Sequence, residues 1–237
     1  MNQNPDFYYY KAIDSTNSEA RRKIGEGITL PAVFVAEKQT AGRGRRGRSF
    51  FSEGGLYMSL AVNTSEKDTV LLTTAAAVAV AEAIEEAIGI TAGIKWVNDL
   101  YFDGKKVCGI LCEAVTDKDS GKTNAVIIGI GVNLNVTEFP EELKNTAGGL
   151  VSPNITAKKL SEVITEKLLS ELDISSDIID RYKKRSIVLG RDISYEKNGT
   201  SYFAKALDID SSGGLIVQNE DGTKTLLNSG EITLRFL

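Results

Sequence analysis

Residues 42–48 (GRGRRGR) set four arginines among three glycines, directly after the apolar run 32–39. A guanidinium is a planar, permanently charged fork that suits phosphate and carboxylate oxygens. Glycines let the backbone approach a ligand closely and expose its N–H groups. Holding an anion is the chemistry this pattern predicts. The same letters also fit a solvated surface loop or an arginine–glycine tail on RNA, but such tails are long and terminal, and this stretch is a single insertion between two strands. A second candidate lies in 93–113 (GIKWVNDLYFDGKKVCGILCE). Strand alternation sets Ile94 and Trp96 opposite Lys95 and aims Lys95, with Val97, into a cleft. A turn bearing Asn98 and Asp99 follows at once. The third candidate, Ser15-Thr16-Asn17, offers two hydroxyls and an amide, or else simply caps a helix.

What is missing narrows the chemistry further. The chain has no histidine, which excludes histidine triads and histidine–metal hydrolysis. Catalysis must then use Lys, Arg, carboxylates, hydroxyls, backbone N–H groups or a bound ion. Cys108 and Cys112, the only cysteines, lie four residues apart in a strand. That spacing puts them roughly 13 Å apart, beyond the reach of a disulfide at under about 7 Å between α-carbons. Two thiols without histidine also make a poor zinc set, so they read as core packing.

The elements that must position these groups can be traced along the chain. Residues 7–13 read as a strand. Thr16 with Glu19 three residues on has the capping-box pattern of a short helix ending near Gly25 or Gly27. Strands at 32–39 and 55–63 flank the arginine loop. Residues 69–88 form an Ala-rich, buried-looking helix stopped by Gly89. Strands follow on either side of Asp103-Gly104, and another at 123–135. Helices are expected over 156–172 and 177–185. Up to residue 186 this mixes strands and helices without βαβ regularity, an α+β layered domain. After Ser186 come short β-branched runs parted by Asn198-Gly199, Gly213-Gly214 and Asp221-Gly222, the marks of tight hairpins and a small, partly closed barrel. The expected division is 1–186 and 187–237.

At 237 residues, 42% hydrophobic and net −4, the composition is that of an ordinary folded chain. Ser186–Leu237 carries 5 basic and 7 acidic residues, so charge is not segregated. A basic face of the kind DNA-binding proteins show is missing outside 42–48, and no nucleic-acid partner is expected. The opening MNQNPDFYYY lacks a basic start and apolar core, so no signal peptide is read there. The most apolar window, 70–88, carries Glu82, Glu85 and Glu86 and is too polar for a membrane span. A cytoplasmic protein is expected.

GRGRRGR after a strand ending AEKQ, then KWVNDLY, KKVCGILCE and IGIGVNLN, resembles the catalytic domain of biotin protein ligases. STN near the start and GEITLR near the end fit the same family, and the motifs run in its order over nearly the whole chain. The resemblance implies an α+β domain related to class II aminoacyl-tRNA synthetases, a mixed sheet with helices, followed by a small Src-homology-3-like β-barrel. It implies ATP-dependent, Mg²⁺-dependent activation of biotin to biotinyl-5′-AMP. Biotin then passes to one lysine of a biotin carboxyl carrier domain, such as that of acetyl-CoA carboxylase.

Carried over by position, Ser15, Thr16, Asn17 and Gln39 match biotin-pocket residues, and Arg43, Gly44 and Arg45 fall in the ligand-ordered loop. Lys95 matches a lysine touching both the biotin carboxylate and the adenylate, and with Arg45 is the expected catalytic pair. Phe50 stands where an aromatic ring, commonly tryptophan, stacks on adenine. Arg48, Lys106 and Asn133, with Arg45 and Lys95, complete the expected nucleotide site, and no protein metal ligands are expected. The sequence departs from the family pattern at Val97, where proline is usual. Some relatives carry an N-terminal DNA-binding module. Here FYYYKAIDSTN comes at once, so ligase activity alone is expected, with a homodimer as a further expectation.

Overall fold

The computed structural model describes residues 4–51, 53–63, 69–116, 121, 123–172, 175–197, 199–228 and 233–236. The first part contains strands β1 (Asp6–Ile13), β2 (Ala32–Gln39), β3 (Glu53–Asn63), β4 (Gly93–Lys95), β5 (Asp99–Phe102), β6 (Lys105–Thr116) and β7 (Thr123–Val132). They form one sheet in the order β1-β2-β3-β7-β6-β5-β4. Neighbours are antiparallel except β1 and β2, which run parallel. Helix α1 (Thr16–Gly25) joins that pair. One βαβ unit is therefore present within the α+β layering, because 14–31 is long enough for the crossover that a parallel return requires.

Helix α2 (Thr69–Ile88) covers one face of the sheet, against Leu56, Met58, Leu60, Ile110, Ile128 and Ile130, all buried. Its described residues are apolar nearly all round, the pattern of a helix covered on every side. The cover comes from α3 (Ala157–Ser170) and α4 (Ile178–Arg185). Alanines at 75–77, 79, 81 and 83 let the layers close up. Thr156 caps α3, its hydroxyl accepting from the Lys159 N–H at 3.1 Å. Ion pairs Arg181–Glu82 (2.5 Å) and Arg185–Glu85 tie α4 to α2. Cys108 and Cys112 are free thiols; burial pushes Cys112 up to about 11 and Cys108 higher, so both stay protonated.

Alternation sends the other side chains of the same strands to the opposite face. There α1 packs over a second, smaller core of Ala20, Phe34, Ala61 and Ile127. It covers only one end of that face. The other end, above Gly109, Gly129 and Gly131, is open and forms the floor of the site.

The closing part holds β8 (Asp192–Lys197), β9 (Thr200–Ile209), β10 (Leu215–Asn219), β11 (Lys224–Leu227) and β12 (Thr233–Phe236). They form an antiparallel sheet in the order β11-β10-β9-β8-β12. Gly213 and Gly222, both with φ +83, occupy two of its turns, as the hairpin signals required. Asn198, and residues 230–232 of the GEITLR motif, lie outside the described residues. The second sheet docks beside β4: the Ile187 N–H donates to the Ile94 carbonyl at 3.0 Å, and the Trp96 indole N–H to the Gly213 carbonyl at 2.9 Å. Among the described residues no helix is long and apolar enough to cross a membrane.

Candidate active site

A cavity of about 650 Å³ opens on the uncovered end of the first sheet, within the range of small-molecule sites. Glycines make its floor possible. A β-carbon added at Gly129 would lie 2.2 Å from Asn17 Oδ1, and one at Gly131 2.5 Å from the Phe50 ring. At Gly109 it would meet Phe50 at 3.0 Å and Lys106 Nζ at 3.1 Å. Side chains standing on the walls thus reach the sheet backbone only because the floor has none.

One wall is the start of α1. The capping box expected there does not form: Ser15 occupies the N-cap position without a side-chain cap bond. Glu19 instead accepts from the Tyr10 hydroxyl at 3.1 Å and from Arg22 at 2.8 Å. Thr16 is turned to the cavity instead. Gln39 Oε1 accepts from the Thr16 N–H (2.8 Å) and hydroxyl (3.2 Å), which fixes the direction of the Gln39 amide. Ser59, fully buried in β3, donates to Asn17 Oδ1 at 2.6 Å and meets the Thr16 hydroxyl at 2.8 Å. Asn17 Oδ1 has no proton to give, so the Ser59 proton goes to it, and the one Thr16 hydroxyl proton is shared between Ser59 Oγ and Gln39 Oε1. Asn17 Nδ2 donates to Glu113 Oε2 (2.7 Å) and to the Leu111 carbonyl (3.4 Å). This wall is neutral at the cavity surface, and its donors and acceptors have fixed directions.

The arginine stretch forms the roof. It is a folded turn, with Gly44 N–H donating to the Arg48 carbonyl at 2.7 Å and Phe50 N–H to the Gly42 carbonyl at 2.9 Å. Gly47, at φ +69, supplies the left-handed residue that the turn requires. Arg43 Nη2 donates to Ser18 Oγ at 3.1 Å and lies 3.9 Å from Glu113. Arg45 reaches across the cavity and donates to Asn98 Oδ1 at 3.0 Å. Asn98 is itself fixed, donating from Nδ2 to the Ile110 carbonyl at 2.7 Å. Gly44 and Arg48 also line the cavity.

The far wall carries charge. Lys106 Nζ pairs with Asp99 at 2.7 Å and stands 5.8 Å from the centre of the Phe50 ring. Phe50 packs edge-on against Tyr57 (6.4 Å) and close on the glycine floor, an aromatic platform with a cation over its ring. Lys95 Nζ lies 5.3 Å over the Tyr101 ring. Burial, with the Asp99 charge second, pushes the Tyr101 phenol up to about 12, so Lys95 faces a neutral ring. Lys95 does not share its face with Val97 as expected. The strand ends at Lys95, and the turn beyond the cis Trp96–Val97 peptide buries Val97 in the core. Asn133 is 6% exposed, and its amide donates to the Gly148 (2.9 Å) and Lys106 (3.4 Å) carbonyls. It braces the backbone at Lys106 from behind the cavity wall.

Ser15, Thr16, Asn17, Gln39, Arg43, Gly44, Arg45, Arg48, Phe50, Lys95 and Lys106 are thus brought to one cavity. Sequence reasoning missed Ser59, Asn98, Asp99, Tyr101 and Glu113 as parts of it. A signal existed for Ser59, a lone hydroxyl inside the apolar run LYMSLAV, and for Asn98 and Asp99, which were seen in a turn but given no role. Glu113 carried no signal beyond its place in a strand.

A fixed neutral wall and a cationic wall on one cavity suit a ligand that is uncharged at one end and anionic at the other. The comparisons with known proteins make the class particular. The biotin/lipoate A/B protein ligase family matches residues 9–133, and the biotin protein ligase C-terminal domain matches residues 188–235. The bifunctional ligase/repressor BirA of Bacillus subtilis is 33% identical over 235 residues, covering 93% of this chain and 72% of that protein. The biotin–[acetyl-CoA-carboxylase] ligase of Mycobacterium tuberculosis is 28% identical over 236 residues, covering 92% and 85%. Among solved structures, the Aquifex aeolicus biotin protein ligase in complex with biotin and ATP superposes with a TM-score of 0.83 at 30% identity, covering 98% of this chain and 99% of that one. The chain belongs to the biotin/lipoate A/B protein ligase family, on the biotin protein ligase side.

Proposed function

We propose that this chain activates biotin with ATP to biotinyl-5′-AMP and then transfers biotin to a lysine of a biotin carboxyl carrier domain, such as that of acetyl-CoA carboxylase. The observation that carries the reading is the polarity of this cavity, neutral and rigid at α1, cationic at β4–β6. Biotin has a neutral ureido ring at one end and a carboxylate at the other. Thr16, Asn17 and Gln39 suit the ring; Arg43, Arg45, Arg48, Lys95 and Lys106 suit the acid and the nucleotide, with Phe50 as the adenine platform and Asn133 bracing the Lys106 backbone.

In the first step a carboxylate oxygen bonds to the α-phosphorus while the bond to pyrophosphate breaks. In the second, the lysine amine bonds to the acyl carbon, AMP leaves with the electron pair, and the amine proton passes to solvent. The first step brings two anions together. Unit charges 4 Å apart repel by about 4 kcal/mol at an effective dielectric near 20. Cations fixed where charge develops offset this without a proton-transfer residue, which is how a chain without histidine runs the reaction. Arg45 and Lys95 act as catalytic groups in this proposal, and Lys106, beside the Phe50 platform, joins them.

The residues present fit a Mg²⁺ carried on the nucleotide. No group of three or more metal-binding side chains occurs among the described residues, while Asp99 is a carboxylate on the cavity wall. Mg²⁺ is commonly held by one or two carboxylates plus substrate phosphates, and it would neutralise the departing pyrophosphate. The division into 1–186 and 187–237, a cytoplasmic location, a homodimer and the lack of a nucleic-acid partner belong to the same proposal. Sedimentation velocity with and without biotin and ATP tests the dimer. The activity is tested by ATP–pyrophosphate exchange, expected to depend on biotin and not on lipoate. Exchange that lipoate drives, or none with biotin, overturns the reading.

A further inference from the structure

We propose that Glu113 is a positioning residue, coupling the Asn17 carboxamide to the Arg43 guanidinium and so setting how tightly the neutral end of the cavity holds biotin. The inference deepens the functional reading above and rests on it. Glu113 follows Gly109 and Leu111 along the cavity face of β6. It stands just behind the lining, 25% exposed at its side chain. Three groups converge on it. Oε2 accepts from Asn17 Nδ2 at 2.7 Å and lies 3.9 Å from Arg43 Nη2, while Oε1 lies 3.7 Å from Arg21 Nη2. One carboxylate oxygen therefore joins α1 to the arginine roof.

The consequence for Asn17 is a fixed direction. Its Oδ1 faces the Ser59 hydroxyl and its Nδ2 faces Glu113 and the Leu111 carbonyl. A flipped amide would set two oxygens against each other at Glu113, and a carboxylate cannot supply the missing proton. The amide sits close over the bare backbone at Gly129, where even a β-carbon would overlap it. Glu113 thus decides which edge of Asn17 the ligand meets, and the same oxygen draws Arg43 down over that edge.

A purely structural role would look different. Ion pairs as exposed and as long as those to Arg21 and Arg43 contribute little stability. The short bond to Asn17 is the strong one, because its acceptor is charged. Removing Glu113 should therefore act on ligand affinity far more than on melting.

The test compares Glu113→Ala and Glu113→Gln with Arg21→Ala as a control. Readouts are the KM for biotin and for ATP in pyrophosphate exchange, the melting temperature, and direct biotin binding. Binding is followed by fluorescence of Trp96, the chain's single tryptophan, which lines the cavity. Glu113→Ala is expected to raise the biotin KM and Kd about tenfold, the scale of losing a charged hydrogen-bond partner. Glu113→Gln, which keeps an oxygen for Asn17, should raise them about threefold. In both, the ATP KM should stay within about twofold, and Arg21→Ala should leave all values within about twofold. Glu113→Ala combined with Arg43→Ala should be less than additive, as for groups sharing one partner. An unchanged biotin KM in Glu113→Ala overturns the proposal, as does an equal rise for biotin and ATP with a large fall in melting temperature. Exchange missing from the wild type would overturn the functional reading instead, and the Trp96 titration would still decide the role of Glu113.

Discussion

The two walls of the cavity are built on opposite plans. At α1, five side chains from four segments (Thr16, Asn17, Gln39, Ser59 and Glu113) face one another in hydrogen bonds of 2.6–3.2 Å, and each fixes the next. At β4–β6, Lys95 lies over a ring and Lys106 pairs with a carboxylate, while Arg45 reaches an amide there from the roof. The first wall is a template of directed neutral groups, which selects shape. The second is a cluster of cations, which serves charge that appears during a reaction. Placing both on a glycine floor lets one ligand span recognition and chemistry.

If this division holds, variants should separate along it. The largest effect is expected from Lys106→Ala, which should slow biotinyl-AMP formation by about a thousandfold. Lys95→Ala should slow it by about a hundredfold. Lys106 ranks first because it stands beside the Phe50 platform over the glycine floor, whereas Lys95 lies on the outermost strand. A rapid-quench measurement of adenylate formation checks both, and equal or negligible losses would blur the comparison.

Next comes Gly129→Ala. Its methyl group would overlap Asn17 Oδ1, so the biotin KM should rise about tenfold or more, with the ATP KM little changed. Thr16→Val removes only the hydroxyl and leaves the N–H to Gln39. A rise of about three- to tenfold in biotin KM is expected, the scale of one neutral hydrogen bond.

The smallest effect concerns the outside of the same helix. Arg22 holds the Asp14 carboxyl down at about 2, below the ordinary value near 4. A depressed carboxylate adds stability above its unfolded pKa and loses it as pH falls through the folded one. The wild type should therefore lose a small increment between about pH 4 and pH 2 that Asp14→Asn lacks, with biotin and ATP KM unaltered. Melting curves across that window provide the check.

The cationic wall and roof were easier to read in the sequence than the neutral wall. Charge at 42–48, and lysines beside turn residues, carry their chemistry in their letters. The neutral wall is a product of folding. Asn17 and Glu113 are 96 residues apart, and Ser59 is 42 from Asn17, so nothing local announces that they meet. Thr16 with Glu19 looked like a cap because local rules favour one. The cavity claimed Thr16, and Tyr10 and Arg22 claimed Glu19. Val97 was misplaced because alternation was carried past the end of a three-residue strand. The large sheet, the buried Ala-rich helix and the closing hairpins were legible because periodicity and glycine turns are local signals. The parallel pairing of β1 with β2 was not, since it depends on where the chain returns after α1.

The division between recognition and chemistry is tested most directly on Lys106→Ala. Its affinity for biotin alone, from the Trp96 titration, is to be compared with its single-turnover rate of biotinyl-AMP formation. We expect a Kd within about threefold of the wild type while the rate falls by at least about a hundredfold. A Kd weakened by the same factor as the rate, or a rate left unchanged, would contradict it.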